Sequence, residues 1–529
     1  MYKNNFHVDK TIVETQYFAS FNVSSKETQN LVPNKETQNL VPNKETQNLA
    51  SNKETQNLAS NKETQNLVPN KETQNLVPNK ETQNLVPNKE TQNLVPNKET
   101  QNLASLPMKK KCCLIIDPAT CKDYMVPRFH KRDIEVIAVF TDSLLSFFKE
   151  FSALTAEQIH ELVKIELEGM SFDKIYYLWE FDNLECFKSL FSEYNVLNII
   201  NANEYSIETT AKLCKLFEFE FNPDHVIKTL LSKYDVNEVC SEKGVKVCRE
   251  IENVGSELSS EKKSTLEEWG YPLFVKPVHG CGSLGAMKID SYDELTNYLK
   301  SNTHSSVLIQ EYLKGEEFIV DVVSYQGQHY ISVLCTYKKD YIDNLPIYNY
   351  VENVSFTSSH AKEMIDYIIS VLDSVGWVNG MTHNELMYTK NGPRLIEVNC
   401  RQSGAHNCVN KIASFSHGRD QFDILLDSIC NPDDLEKYNC LPHEKNHCRV
   451  IFLNNFTPNR IYKRFNVEKI EHLPSYKEHD FFIKPGSELP VASSLAEVVG
   501  NLLLLNEDKQ QLEKDYETIY KMMLNDGLF

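Results

Sequence analysis

The sequence predicts an α/β protein with an α+β lid, preceded by a long repetitive tail. Between residues 111 and 200, short apolar runs alternate with helical patterns, which is typical of a parallel sheet covered by helices. Near the middle of the chain, a glycine-rich turn joins two short strands. We therefore expect an N-terminal α/β domain followed by a larger domain that contains antiparallel hairpins.

The tail is built from a nine-residue unit, KETQNLVPN, with a variant that ends in ASN. From Lys26 the unit recurs nine times to about residue 106, and each copy carries one Lys and one Glu. With one Leu, at most one Val and no aromatic residue per copy, the units bury too little apolar surface to offset the entropy of ordering. We predict a disordered spacer, with an array that binds an unknown partner and a β-solenoid as the alternatives.

Folded sequence is expected to begin near Met108, which could also be an alternative start. Predicted strands are 111–117, 136–141, 174–179, 196–200, 271–277, 286–290, 306–313, 317–324, 329–337, 381–387, 394–399 and 449–453. Predicted helices are 155–168, 206–218, 224–240, 291–301 and 360–375, and the tail from 495 to about 525 is expected to be mostly helical.

Composition and charge narrow the class of protein. No apolar run approaches the ~20 residues that span a bilayer, and the N-terminus lacks a signal-peptide pattern. The fourteen cysteines all follow residue 111 at irregular spacings, which suits a reduced, cytoplasmic protein. The net charge of −19 argues against general nucleic-acid binding. We expect neither a membrane nor a nucleic acid as a partner.

The glycine-rich turn carries the chemistry of a phosphate-binding loop. Gly280, Gly282 and Gly285, with Ser283 between them, match G-x-G-x-x-G, a spacing that binds dinucleotides when a helix follows. Here a second short strand follows, so the unit resembles a flexible hairpin over a triphosphate. Lys276 just before the glycines would add a compact positive charge. The loop therefore indicates ATP rather than NAD.

Two oxygen ligands alternate on one predicted strand, where Glu397 and Asn399 would project to the same face. Glu385 on a neighbouring strand would add a third. Hard oxygen ligands of this kind suit Mg²⁺ (or Mn²⁺) that bridges nucleotide phosphates. Arg401, two residues farther on, could stabilise a phosphoryl group during transfer.

Four ordered segments together resemble the ATP-grasp ligase superfamily: Val275–Pro277 with its glycine loop, Gln310–Phe318, Thr382–Leu386 and Leu395–Arg401. The resemblance runs from about residue 108 to the C-terminus and implies an ATP-grasp fold with a Rossmann-like pre-ATP-grasp domain. It divides the chain into an N-terminal tail (1–25), the repeats (26–106), the pre-ATP-grasp domain (107–222), the ATP-grasp domain with its lid (223–430) and a C-terminal subdomain that completes it (431–529).

The resemblance also implies roles for single residues. Glu311 and the backbone of Leu313 would bind the adenine, Glu317 would bind the ribose hydroxyls, and Tyr312 between them would belong to the same nucleotide-binding segment. Lys233 resembles the second phosphate-binding lysine of the family, although Ser232 replaces the aspartate that usually precedes it. Lys276 and Arg401 would act on the phosphoryl group.

A narrower resemblance, carried by Asp321–Tyr330 with Tyr337–Lys339 and by Lys484–Leu489, is to amide-forming carboxylate–amine ligases, including L-amino-acid (dipeptide) ligases. It implies a small-molecule carboxylate and an amine as substrates and an acyl-phosphate intermediate. Another ATP-grasp reaction, such as carboxylation or a purine-pathway step, and an ATP-binding scaffold that acts through the repeats are the alternatives. The oligomeric state stays open, a homodimer included.

Cysteine and histidine residues near position 440 could form a second metal site. Cys440, His443, His447 and Cys448, with Cys430 ten residues earlier, have ligand types and spacings compatible with zinc. An alternating Cys in a strand that begins near Arg449 explains the same pattern without a metal, and this is the interpretation we favour.

If the repeats are a passive spacer, a chain that begins at Met108 will fold and bind ATP like the full-length protein, because the repeats contribute no apolar core. Thermal melting and ATP titration of the two chains check this. A large loss of melting temperature or of ATP affinity in the shorter chain would show that the repeats support the folded part.

Overall fold

A computed structural model of the chain describes residues 109–118, 122–143, 155–167, 171–278, 285–301, 306–342, 345–525 and 527–529. The predicted disorder of the repeats, and the predicted phosphate contacts of Gly280, Gly282 and Ser283, lie outside the described residues. Among the helices that are described, none is both long and apolar enough to cross a membrane.

The N-terminal domain is the predicted parallel sheet with covering helices. Its strands lie in the order β3-β2-β1-β4, and all three neighbouring pairs are parallel. The strands are β1 (Lys110–Ile116), β2 (Glu135–Phe140), β3 (Lys174–Tyr177) and β4 (Tyr194–Asn201). The helices are α1 (Lys122–His130), α2 (Ala156–Leu167), α3 (Leu184–Ser189) and α4 (Ile207–Leu216). Continuous apolar runs in β1 and β2 are buried because helices cover both faces of such a sheet.

The next segment was expected to be one helix over 224–240, and this expectation was wrong. Two helices form instead, α5 (Asp224–Leu230) and α6 (Lys233–Glu242). Ser232 between them has extended backbone angles, and its side chain accepts a hydrogen bond from Asp235 N. A serine in this position begins a new helix, and it places Lys233 at the first residue of α6.

A small antiparallel sheet follows, in the order β5-β8-β6-β7. Its elements are β5 (Glu250–Val254), α7 (Ser260–Trp269), β6 (Leu273–Pro277), β7 (Met287–Ile289), α8 (Tyr292–Ser301) and β8 (Ser306–Glu311). The predicted hairpin is confirmed, since β6 and β7 pair antiparallel from Leu273–Ile289 to Val275–Met287. β5 was not predicted, because its sequence EIENV has too few apolar residues to indicate a strand.

A large antiparallel sheet of eight strands, in the order β13-β12-β9-β10-β11-β14-β16-β15, forms the rest. The strands are β9 (Gly315–Tyr325), β10 (Gln328–Ile342), β11 (Leu345–Asn353), β12 (Gly380–Thr389), β13 (Gly392–Asn399), β14 (His447–Leu453), β15 (Tyr476–Phe481) and β16 (Gly500–Asn506). The helices are α9 (Ala361–Val375), α10 (Cys408–His417), α11 (Gln421–Cys430) and α12 (Lys509–Leu524). Alternate residues of β9 pack into two cores, with Val320 in the core that contains α9 and Ile319 in the core that contains α10.

The start of the C-terminal tail was expected to be helical, but residues 500–506 form β16. This strand pairs with β14 on one side and β15 on the other, and Leu502, Leu503 and Leu504 are buried. A short run of leucines has no period that separates a buried strand from a helix. The helix begins only at Lys509, where Asp508 caps it.

Side-chain contacts join the N-terminal domain to the start of α11 and the end of β13. Tyr124 Oη donates to Asp420 Oδ2 at 2.6 Å, and Arg128 Nη2 lies 2.7 Å from the same carboxylate, which caps α11. Asn201 Nδ2, at the end of β4, donates to the carbonyl of Cys400 at 2.9 Å. This contact holds the end of β4 beside the end of β13.

Candidate active site

A cleft lies between the small sheet and the large sheet, with about 930 Å³ of space when its open mouth is included. That size suits a cofactor or a small ligand. Charged side chains from both sheets and from the start of α6 line it, and these are Lys233, Lys276, Glu311, Glu317, Lys339, Glu385 and Glu397. The structure thus brings together predicted site residues from five separate segments of the chain.

Part of the cleft lining is apolar. Phe274 from β6, Leu313 after β8, Met387 from β12 and Leu395 from β13 contribute to it, together with Tyr312. Aliphatic and aromatic side chains of this kind suit a planar base. Leu313, whose backbone was predicted to bind adenine together with Glu311, is among these residues.

The carboxylate of Glu311 lines the same cleft but is already bound. Arg249 Nε and Nη2 lie 3.0 and 2.9 Å from its Oε2, and the backbone N of Arg249 donates to Oε1 at 3.0 Å. A carboxylate engaged in this way has little capacity left for a base. A contribution of Glu311 to adenine binding would therefore come from its backbone.

Two lysines occupy the centre of the cleft. Lys276 is buried, and its Nζ donates to the carbonyl of Ile396 at 3.2 Å. Burial, together with the positive charge of Lys233, lowers the pKa of Lys276. Lys233 Nζ lies 3.1 Å from Glu397 Oε1. The two cations are therefore close enough to bind one polyanion.

The two predicted carboxylate ligands lie directly opposite each other. Glu385 of β12 and Glu397 of β13 are partners in the antiparallel register, and both line the cleft. Glu385 Oε1 lies 3.3 Å from His383 Nε2. Burial opposes ionisation of Glu385, but this hydrogen bond and the charge on His383 hold the pKa of Glu385 well below its usual value. Glu385 is thus a stable anion.

Asn399 and Arg401 lie beside the cleft rather than in it. Asn399 lines a neighbouring cavity, and Lys233, Ile396 and Glu397 line both spaces. Arg401 Nη2 donates to Glu204 Oε1 at 3.3 Å, and its Nε donates to Oε2 of the same residue. Burial opposes ionisation of Glu204, but Arg401 holds the pKa of that carboxyl below its usual value. Glu204 is not one of the site residues predicted from sequence.

The carboxylates fit a magnesium ion that also binds phosphate. Mg²⁺ is commonly held by one or two protein carboxylates, and substrate phosphates and water complete its shell. Glu385 and Glu397 supply two such carboxylates. Within the described parts of the chain, no group of three or more His, Cys, Asp or Glu side chains could hold a metal ion. The structure therefore gives no support to the zinc alternative at Cys440, His443, His447 and Cys448.

Lys339 lines the cleft, although it is not one of the site residues predicted from sequence. Its Nζ donates to both oxygens of Glu317, at 2.6 and 2.7 Å, and to Tyr348 Oη at 2.8 Å. Burial disfavours the charge on Lys339, but the carboxylate of Glu317 raises its pKa. Lys339 therefore adds a third lysine to the cleft, with a side chain that is 12% exposed.

Gly285 fixes the end of the glycine-rich turn. Its φ of 70° lies in the left-handed region, and a Cβ at this position would lie 3.1 Å from Pro277 Cγ. Tyr298 Oη donates to the carbonyl of Gly285 at 2.7 Å. Glycine is therefore required where the turn joins β7, close to Lys276.

Comparisons with known proteins agree with this geometry. Residues 230–405 match the family model described as ATP-grasp domain. Dapdiamide A synthase of Enterobacter agglomerans is 25% identical over 266 residues, which cover 47% of this chain and 60% of that protein. Alanine–anticapsin ligase of Bacillus subtilis is 26% identical over 263 residues, which cover 45% and 55%. The chain thus spans a little over half the length of these relatives.

A solved structure shares the fold over most of its length. The crystal structure of an L-amino acid ligase from Bacillus licheniformis superimposes with a TM-score of 0.61 at 16% identity, and the match covers 78% of this chain and 98% of that one. The arrangement of a parallel N-terminal sheet, a small antiparallel sheet and a large antiparallel sheet is therefore the ATP-grasp fold that the sequence predicted.

The pair formed by Lys339 and Glu317 predicts a non-additive effect on stability. Lys339→Met leaves a buried carboxylate without its cation, so we expect the free energy of unfolding to fall by roughly 3 kcal/mol. Adding Glu317→Gln to that variant should restore most of the loss, because no uncompensated charge remains. Denaturant unfolding of the single and double variants measures this. Additive losses would contradict a tight pair.

Proposed function

We propose that this chain, which contains an ATP-grasp domain over residues 230–405, is an ATP-dependent ligase that joins a small carboxylate to an amine. The observation that carries the proposal is the meeting of Glu385 and Glu397 with Lys233 and Lys276 in one cleft. Two opposed carboxylates beside two cations suit a metal-bound triphosphate.

The proposed reaction has two steps. A carboxylate oxygen of the substrate attacks the γ-phosphorus of ATP, the bond to the β-phosphate breaks, and an acyl phosphate and ADP form. The amine nitrogen then attacks the acyl carbon, phosphate leaves, and the nitrogen loses a proton. A bound Mg²⁺ would supply charge neutralisation at the phosphates.

The residues of the chain would position and neutralise the reactants. Lys276 and Lys233 would bind phosphate oxygens. The apolar part of the cleft lining would bind adenine, and Glu317 with Lys339 would lie near the ribose. Asn399 would assist Glu385 and Glu397 at the metal. Arg401, held by Glu204 near the end of β13, would face the phosphoryl group during transfer. The hairpin formed by β6 and β7 would exclude water.

Amino acids are the first substrates to test. The names of two relatives, alanine–anticapsin ligase and dapdiamide A synthase, and of the L-amino acid ligase structure support this choice. Carboxylation and a purine-pathway step stay as alternatives within the same fold. Bicarbonate, which a carboxylating enzyme would use, is therefore included in the test.

The ligase proposal predicts that ATP turnover rises only when a carboxylate and an amine are both present, and that ADP and phosphate form. Pairs of amino acids are screened for ADP release, and mass spectrometry identifies the product. Release of AMP would exclude an acyl phosphate. Turnover that requires bicarbonate and yields no amide would favour carboxylation instead.

Replacing Glu397 by Gln should separate catalysis from nucleotide binding. The variant keeps the shape of the side chain but loses the metal-binding charge, so we expect turnover to fall roughly 10²–10³-fold. Affinity for metal-free ATP should stay the same or rise, because Lys233 loses its carboxylate partner at 3.1 Å. Lys276→Met should show the opposite result, with a larger effect on ATP affinity than on turnover.

Calorimetric ATP titration with and without Mg²⁺, together with steady-state kinetics, measures both effects. Glu261→Gln in α7, where the side chain is exposed, is the matched control and should change neither quantity. Near-normal turnover of Glu397→Gln with an unchanged Mg²⁺ requirement would remove Glu397 from the proposed metal site.

A further inference from the structure

A line of three ionisable side chains leads from the interior of the large sheet into the cleft. Asp321 Oδ1 lies 2.7 Å from His383 Nδ1, and His383 Nε2 lies 3.3 Å from Glu385 Oε1. Asp321 is fully buried and His383 is 4% exposed, whereas Glu385 lines the cleft. The imidazole therefore connects a carboxylate in the core to one of the proposed metal-binding carboxylates.

The register of the strands creates this line. His383 of β12 is the antiparallel partner of Asp321 on β9, and Glu385 follows His383 by two residues on the same face of β12. Each ring nitrogen has a carboxylate oxygen as its neighbour, at 2.7 and 3.3 Å. The orientation of the ring is therefore fixed from both sides.

These polar side chains stabilise the core less than apolar side chains of similar size would. Asp321 Oδ2 is buried, and it has no hydrogen-bond partner in the described part of the chain. A buried carboxylate oxygen without a partner destabilises the fold, and an apolar group of similar size would avoid that cost. A role in the cleft would explain why these residues lie here.

We propose that His383 is a positioning residue that, anchored by Asp321, turns one oxygen of Glu385 toward itself and presents the other oxygen to a divalent cation. The inference rests on the proposed function, because it takes Glu385 as a metal ligand. Partners of this kind orient the groups that bind a metal, and their loss typically weakens metal affinity about 10–100-fold.

The same sheet supplies a matched control. His329 of β10 is also buried between two polar partners, with Nδ1 2.7 Å from Ser324 Oγ and Nε2 3.3 Å from Asp373 Oδ1. Its side chain is 4% exposed, like that of a core residue, and it does not line the cleft. Replacing His329 tests what the loss of any buried histidine does to this sheet.

The experiment measures Mn²⁺ affinity without turnover. The full-length chain is saturated with a non-hydrolysable ATP analogue and titrated with Mn²⁺, and the electron paramagnetic resonance signal of unbound Mn²⁺ is followed. We expect His383→Asn to weaken Mn²⁺ binding about 10–100-fold, with metal-free affinity for the analogue unchanged. His329→Asn should bind Mn²⁺ like the parent protein. Asp321→Asn should weaken Mn²⁺ binding in the same direction as His383→Asn, and it decides the test if His383→Asn does not fold.

Two results would overturn the inference. One is parental Mn²⁺ affinity in His383→Asn, or in Asp321→Asn where that variant decides. The other is an equal loss in His329→Asn, which would indicate a general effect on the sheet. Glu385→Gln separates this failure from failure of the proposed function. If Glu385→Gln loses Mn²⁺ affinity while His383→Asn keeps it, only the positioning role is wrong; if Glu385→Gln also binds Mn²⁺ normally, the metal assignment itself is wrong.

Discussion

The structure of the cleft depends on pairing lysines with acceptors of the large sheet. Lys233 at the start of α6 lies 3.1 Å from Glu397, and Lys276 of the small sheet donates to the carbonyl of Ile396 at 3.2 Å. Under the proposed function, a nucleotide in the cleft would replace these contacts. Phosphate oxygens would bind the lysines and a cation would bind Glu397, so the binding of the nucleotide and of the cation would be coupled by charge.

Other charged side chains around the cleft are also paired with opposite charges. Lys339 neutralises Glu317, Arg249 neutralises Glu311, and Arg401 neutralises Glu204. Each pair joins residues that are far apart along the chain, so neutralisation also fixes how these segments pack.

The sequence alone predicted the cleft residues that belong to short local motifs. Lys276 before a glycine turn, and Glu385 and Glu397 on strands, could be found because short motifs carry them, and the β6–β7 hairpin could be told from a strand–helix unit. The sequence could not predict the positions of Lys339 and Glu204 or the contact between Asp321 and His383. Each of these contacts joins residues that are 22 to 197 positions apart along the chain. Local patterns also failed for the leucine run of β16, where pairing with two neighbouring strands decides the structure.

The position of the metal tests the central claim most directly. Crystals of the full-length chain with Mn²⁺ and a non-hydrolysable ATP analogue would locate the cation by its anomalous scattering. We expect the peak between the analogue's phosphates and the carboxylates of Glu385 and Glu397, with the base between Phe274 and Met387. A cation held by neither carboxylate, or a nucleotide bound outside the cleft between the small and large sheets, would contradict the account.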